Sequence, residues 1–196
     1  MPNKVVFPGG AVDPLDHDVL LSRALPETCA ARLKEDPTPG TDPVTPNALA
    51  VAAIRELYEE TGQVLAQAAD WSAPPEAWRA FARRGAPDAA PLQFVFRALT
   101  PPGRPRRFDA RFFLVDAEAL ASDPDDFAEA SDELSHLQWI PMDEARSFDM
   151  PFITEVVLAE VQARLHDTAP PASVPFFKNN DEANLFLRLY GKPQSG

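Results

Sequence analysis

The sequence predicts an α/β fold, and three observations carry that expectation. Segments 45–62 and 151–165 carry helix signals. Between them lie two aromatic-rich strand segments, 92–99 and 107–115, joined by a proline- and glycine-rich turn. The chain has 196 residues, which suits one domain over 1–196. A chain of this size removes roughly 70% of its unfolded surface from water, enough for a sizeable core.

The elements follow in order. Lys4-Val5-Val6-Phe7 is a short apolar run that stops at Pro8-Gly9-Gly10, which reads as a strand entering a turn. Residues 11–45 are polar and proline-rich, with a short helix around 27–34. Thr45 is suited to the N-cap and Pro46 to the first helical position. The helix that follows stops at Gly62, a good C-terminal glycine. Residues 75–84 read as a further helix ending before Gly85. Residues 92–99 and 107–115 form a hairpin, and 117–131 an acidic loop. His136–Ile140 reads as a short strand, and 141–148 as a short helix. Over 151–165, Ile153, Val156, Val157, Val161 and Leu165 share one helical face. After Pro170 the tail is ambiguous, and 185–190 suits a strand or a docked helix equally.

Composition narrows the function classes. With 18 Lys+Arg against 30 Asp+Glu, the net charge of −12 argues against general binding to a nucleic-acid backbone. An anionic substrate would need a metal ion or a local basic patch. The single cysteine, Cys29, excludes an intrachain disulfide and a cysteine-based zinc cluster. No window approaches 18 uncharged apolar residues, so no transmembrane helix is expected. The N-terminus lacks the apolar core of a secretory signal. The expectation is a cytoplasmic protein with no membrane partner.

The chemistry concentrates at Arg55-Glu56-Leu57-Tyr58-Glu59-Glu60-Thr61-Gly62. At about 100° per residue, Glu56, Glu59 and Glu60 fall within an arc of about 100°. Val51, Ile54, Leu57 and Tyr58 form a separate stripe. If that stripe faces the core, the carboxylates face solvent. A row of glutamates on a helix is most often just a solvated face. Three this close repel one another, and a divalent cation would remove that penalty. Hard oxygen ligands suit Mg²⁺ or Mn²⁺.

The surrounding pattern resembles the Nudix box, G-x5-E-x7-R-E-U-x-E-E-x-G-U with U aliphatic. Arg55, Glu56, Leu57, Glu59, Glu60 and Gly62 match its second half, and Phe7-Pro8-Gly9-Gly10 its front. Three departures stand out. Asp16 replaces the usual glutamate and reaches less far. An insertion at about 17–45 splits the box. Gln63 occupies an aliphatic position. The split box is similar to a Nudix branch that includes coenzyme A diphosphatase-like proteins.

The resemblance implies a Nudix-type α/β/α sandwich with a mixed sheet. In that family FPGG follows some tens of residues that supply strands, whereas six residues precede Phe7 here. The expectation is therefore a sheet lacking N-terminal strand or strands, from a start lying upstream or from a natural short form. Strand exchange into a homodimer is one way to close such an edge. The implied activity is metal-dependent hydrolysis of a nucleoside diphosphate linked to another moiety: a CoA-like, dinucleotide or nucleotide-sugar substrate. Glu56, Glu59 and Glu60 would hold Mg²⁺ or Mn²⁺, with the carbonyl of Gly9. Arg55 would orient a box carboxylate, and Glu56 is also a candidate general base. The rival is a catalytically silent Nudix-like module that binds a nucleotide or partner without turnover, favoured by Asp16 and the short N-terminus.

Outside the box, Arg104, Arg106, Arg107 and Arg111 form the densest basic patch, suited to gripping substrate phosphates or to being a solvated turn. Glu133, beside Asp132, is the best late-loop acid to assist a metal or water, though a plain loop acid is the commoner case. His17, His136 and His166 lack metal-ligand spacing, and Cys29 lies in no nucleophile motif. Trp71, Trp78 and Trp139 read as core or cover residues.

Overall fold

Thr45 adopts an extended backbone and its hydroxyl accepts from Ala48 N, so α2, Pro46–Thr61, begins at the expected cap. It ends where Gly62 turns left-handed at φ 74° and donates its N–H to Tyr58 O. The structure is a computed structural model and describes residues 4–38, 44–101, 103, 107–132, 134, 136–165, 171–180 and 183–191. Before α2 lies α1, Glu27–Lys34, where a short helix was expected. After it come β1, Ala66–Gln67, and β2, Ala86–Pro87, a small antiparallel pair.

The main sheet contains β3, Gln93–Leu99, β4, Asp109–Leu114, β5, Val174–Asn180, and β6, Ala183–Leu189. Its strand order is β4-β3-β5-β6. The β3–β4 and β5–β6 pairs are antiparallel, and β3–β5 is parallel with Arg97 opposite Phe176. The sheet is thus mixed, as expected. The ambiguous tail resolves into the β5–β6 hairpin.

Helices cover both faces. Leu49, Val51 and Ile54 of α2 and Cys29 and Leu33 of α1 are buried with Phe94, Leu99, Val174 and Phe176. On the other face, Val157 and Val161 of α3, Phe152–Gln162, are buried with Val95, Phe96 and Ala98. The neighbours Val95 and Phe96 join the same cluster because the register shifts between Phe94 and Phe96, a bulge that breaks strict alternation. Each fully buried Val, Ile or Phe contributes about 1.5–3 kcal/mol, so these two layers fix the plane on which α2 lies.

Several expectations need correction. Lys4–Phe7 is not a strand: Val5 N donates to Asp149 O at 3.0 Å, and one such bond makes no ladder. Residues 75–84 form two separate 3₁₀ turns, Glu76–Trp78 and Phe81–Arg83, rather than one helix. Their spacing directs Trp78 and Phe81 into the same core, with ring centroids 5.1 Å apart. His136–Ile140 is irregular; of the two places expected for Trp139, core or cover, the 57% exposed ring takes the second, donating its Nε1–H to Pro124 O at 2.9 Å. The helix expected at 141–148 is reduced to one 3₁₀ turn, Ala145–Ser147. Helix α3 ends at Gln162, which leaves Leu165 exposed off its apolar face. His166 lies outside the described residues.

Candidate functional site

The site forms where the Pro8-Gly9-Gly10 turn meets the last two turns of α2. Gly9 N donates to Glu60 Oε2 at 2.7 Å. A Cβ on Gly10 would lie 2.3 Å from Glu56 Oε1, so the missing side chain is what lets that carboxylate lie against the turn. The structure therefore brings Gly9 to the carboxylates through its N–H. The three glutamates are not equally exposed, which corrects the expectation of a solvent-facing set. Glu60 is buried at 6% exposure, the Glu56 side chain is 14% exposed, and only Glu59, at 48%, faces solvent openly.

Arg55 ties the constellation together. Its Nε and Nη2 donate to the two oxygens of Asp16, each at 3.0 Å. Nη1 donates to Glu56 Oε1 at 2.7 Å and Glu59 Oε2 at 3.1 Å, and Nη2 also reaches Ala11 O at 2.9 Å. The hydrogen bond with Asp16, opposed by burial and reinforced by Glu56, raises the Arg55 pKa above its already high ordinary value. The guanidinium is a fixed cation. Asp16 is 1% exposed, sits in a capping box with Asp13, and accepts from Asp13 N at 2.8 Å. Sequence reasoning saw Asp16 as a shortened glutamate and missed this role, an anchor for Arg55. An acid confined by a proline-led turn was the available signal.

The donor set can be tested against a divalent cation. Among the described residues, no three acidic, histidine or cysteine side chains gather in an arrangement that holds a metal ion. Glu56 Oε1 and Glu59 Oε2 nevertheless face one cationic nitrogen, Arg55 Nη1. One or two carboxylates, with waters and substrate phosphates, are the usual protein contribution to a Mg²⁺ site. The pair fits such an ion in donor type and number, while Glu60 is turned onto Gly9.

The proposed phosphate-gripping arginines behave differently. Arg104 and Arg106 lie outside the described residues. Arg107 is exposed and its Nε reaches back to Thr100 O at 3.4 Å. Arg111 is largely buried: Nη2 lies 3.1 Å from Asp109 Oδ2 and Nη1 donates to Asp109 O at 2.7 Å. Burial lowers its pKa, against the pull of Asp109. These contacts belong to the hairpin and do not join Arg107 or Arg111 to the glutamates.

Glu133 also lies outside the described residues, but its neighbours border the site. Ser131 N donates to Glu59 O at 3.0 Å. From there an open depression of about 570 Å³ is lined by Phe127, Ser131, Asp132, His136, Leu137 and Gln138. Cys29 is buried, and loss of solvent there raises its thiol pKa, which leaves it inert.

No protein-family model matches this chain, and no curated protein sequence matches it. Among solved structures, the chain is similar to a crystal structure of a NUDIX hydrolase from Alicyclobacillus acidocaldarius. The two are 36% identical over 58% of this chain, with a TM-score of 0.38. The match spans 55% of the length of that solved chain.

Proposed function

We propose that this chain is a Nudix-type hydrolase that uses Mg²⁺ or Mn²⁺ to cleave a diphosphate joining a nucleoside to another moiety. One observation carries the reading: Arg55, Glu56, Glu59 and Glu60, the residues that match the box, converge on the Gly9–Gly10 turn that matches its front half. Glu56 and Glu59 would hold the ion with the substrate, and Glu60, whose Oε2 keeps the turn closed on the helix, would lend its negative charge to the same ion. The ion would neutralise charge on the diphosphate and the leaving phosphate. Glu56 Oε1 is committed to Arg55, so Oε2 is the oxygen that takes the proton of an attacking water. Arg55 aims both carboxylates at the same space, with Asp16 fixing the guanidinium plane. The insertion at 17–45 is part of a single domain over 1–196 in this reading. The coenzyme A diphosphatase-like branch makes a CoA-type substrate the first to try.

A silent nucleotide-binding module is the second reading. The arrangement that favours it is Arg55 Nη1 standing between Glu56 and Glu59, where a divalent ion would compete with it. A panel of dinucleotides, ADP-ribose, a nucleotide sugar and CoA, incubated with Mg²⁺ or Mn²⁺ and resolved by chromatography, separates the two. Ion-dependent release of a mononucleotide product supports the hydrolase. Binding without product supports the silent module.

A further inference from the structure

Gln63 follows the C-terminal glycine of α2 and is 2% exposed. Its Nε2 points at three backbone carbonyls of one loop: Asp126 O at 2.9 Å, and Asp123 O and Pro124 O at 3.3 Å each. Its Oε1 accepts from Ser122 Oγ at 2.7 Å, and that hydroxyl accepts from Val64 N at 2.9 Å. Next to it, Ala121 N donates to Val64 O at 2.7 Å. A primary amide has two hydrogens and a carbonyl, so it can gather carbonyls and answer a hydroxyl at once. An aliphatic side chain of similar size offers neither, and the gathered carbonyls would lose their donor at a cost typical of unmet buried polar groups.

The far end of the same loop returns to α2. The last four carbonyls of a helix have no partner inside it. Here Ser131 N serves the carbonyl of Glu59, on the turn that carries Glu59 and Glu60. Gly62 lies so close that a Cβ there would sit 3.1 Å from Ala130 N. The loop also carries Asp123, Asp125, Asp126 and Glu129, whose charges are repelled by an acidic helix end. Only Glu129 has a cationic side chain against it, Arg84 at 3.1 Å, among the described residues. A neutral donor that grips backbone, not side chain, holds an acidic loop against acidic neighbours without adding charge to the site.

We propose that Gln63 is a positioning residue: by gathering the loop carbonyls it seats Ser131 on Glu59 and so fixes the turn that bears Glu59 and Glu60. This rests on the reading of those carboxylates as catalytic. It also assigns a purpose to the amide found where the box pattern has an aliphatic residue.

The test combines amide hydrogen exchange on the full chain with kinetics on whichever diphosphate the wild type hydrolyses. In Gln63→Leu, exchange at Ala121 and Ser131 should quicken by about tenfold or more, while the interior of α2 keeps its protection. The kcat should fall about tenfold, with KM changing far less. Ser122→Ala, a milder change that leaves the amide in place, should shift both readouts in the same direction by less. Unchanged exchange at Ser131 in both variants overturns the proposal, as does quickened exchange with an unaltered kcat. Exchange that rises equally through α2 would make Gln63 a folding residue and overturns it too. A wild type that hydrolyses no diphosphate overturns the functional reading instead, and the exchange pattern then still reads the loop clamp separately.

Discussion

Arg55 makes five hydrogen bonds from one guanidinium, and two of them end on a carboxylate that is 1% exposed. Lysine keeps the charge but not the planar fork, so Arg55→Lys should leave Asp16 partly unpaired. The expected loss is about 2 kcal/mol of stability by chemical denaturation, with turnover down at least about tenfold. Wild-type values for both would reduce Arg55 to a surface residue. Glu60 gives a contrasting case. Glutamine keeps its volume and an acceptor for Gly9 N, so Glu60→Gln should hold stability within about 1 kcal/mol. Removing the charge should nonetheless cost about 10²-fold in turnover with the ion present. A fully active Glu60→Gln protein would remove the metal role proposed for this residue. The Arg55–Asp16 pair was not legible in the sequence, since spacing along a chain carries no information about a contact across 39 positions.

At the scale of elements, α2 was fully legible because its signals are local: a threonine cap, a proline at the first position and a glycine that ends it. The β3–β4 hairpin was equally legible, whereas α1, which follows Pro26 without a side-chain cap, left only a faint local signal. Lys4–Phe7 and His136–Ile140 misled because apolar, β-branched composition measures fitness for a sheet and not the presence of a partner strand. Segment 75–84 misled because two aromatics three apart suit a 3₁₀ turn as well as a helix, and the core of Tyr58, Trp78 and Phe81 selected the former. The meeting of turn and helix gives its own prediction. In Gly10→Ala the new methyl displaces a flexible carboxylate end, so the fold should survive with less than about 1 kcal/mol lost. Turnover should drop by about tenfold or more, because the Glu56 carboxylate must move. Calorimetry beside an activity assay would show it, and an active Gly10→Ala protein would detach the turn from the chemistry.

Across the whole molecule, charge is managed unevenly. Arg97, 1% exposed, lies 4.2 Å from the Phe176 ring centroid and donates to Asp109 at 2.8 and 2.7 Å, to Glu35 O and to Asp36 O. Burial pushes the Asp109 carboxyl up, but bonds from Arg97 and Thr38 and the charges of Arg111 and Arg97 hold it below the usual range. A depressed carboxylate contributes stability above its unfolded pKa of about 3.9 and loses it as pH falls through the folded value. Asp109→Asn should therefore be less stable at pH 7 by about 3 kcal/mol, since it strands a buried arginine. That gap should narrow in urea titrations run below about pH 3. A gap independent of pH would show that Asp109 acts through packing alone. This centre escaped the sequence reading, which counted Arg111 among ligand-binding arginines and passed over Arg97 inside an aromatic run. Isolated charges in a strand give no sign of whether a partner waits across the sheet.

The parallel pairing of β3 with β5 also governs the order of assembly. Strand β3 acquires β4 from its own hairpin, but its second neighbour comes from residues 174–180, beyond α3. On a ribosome, the hairpin and α2 are complete while β3 still has one bare edge, aromatic on both sides at Phe94 and Phe96. Contacts that close such long loops form slowly, and an unpaired strand is open to other chains in the interval. Synthesis halted ahead of Val174 would thus yield a fragment with its box residues made and its central strand half dressed, a natural client for a chaperone.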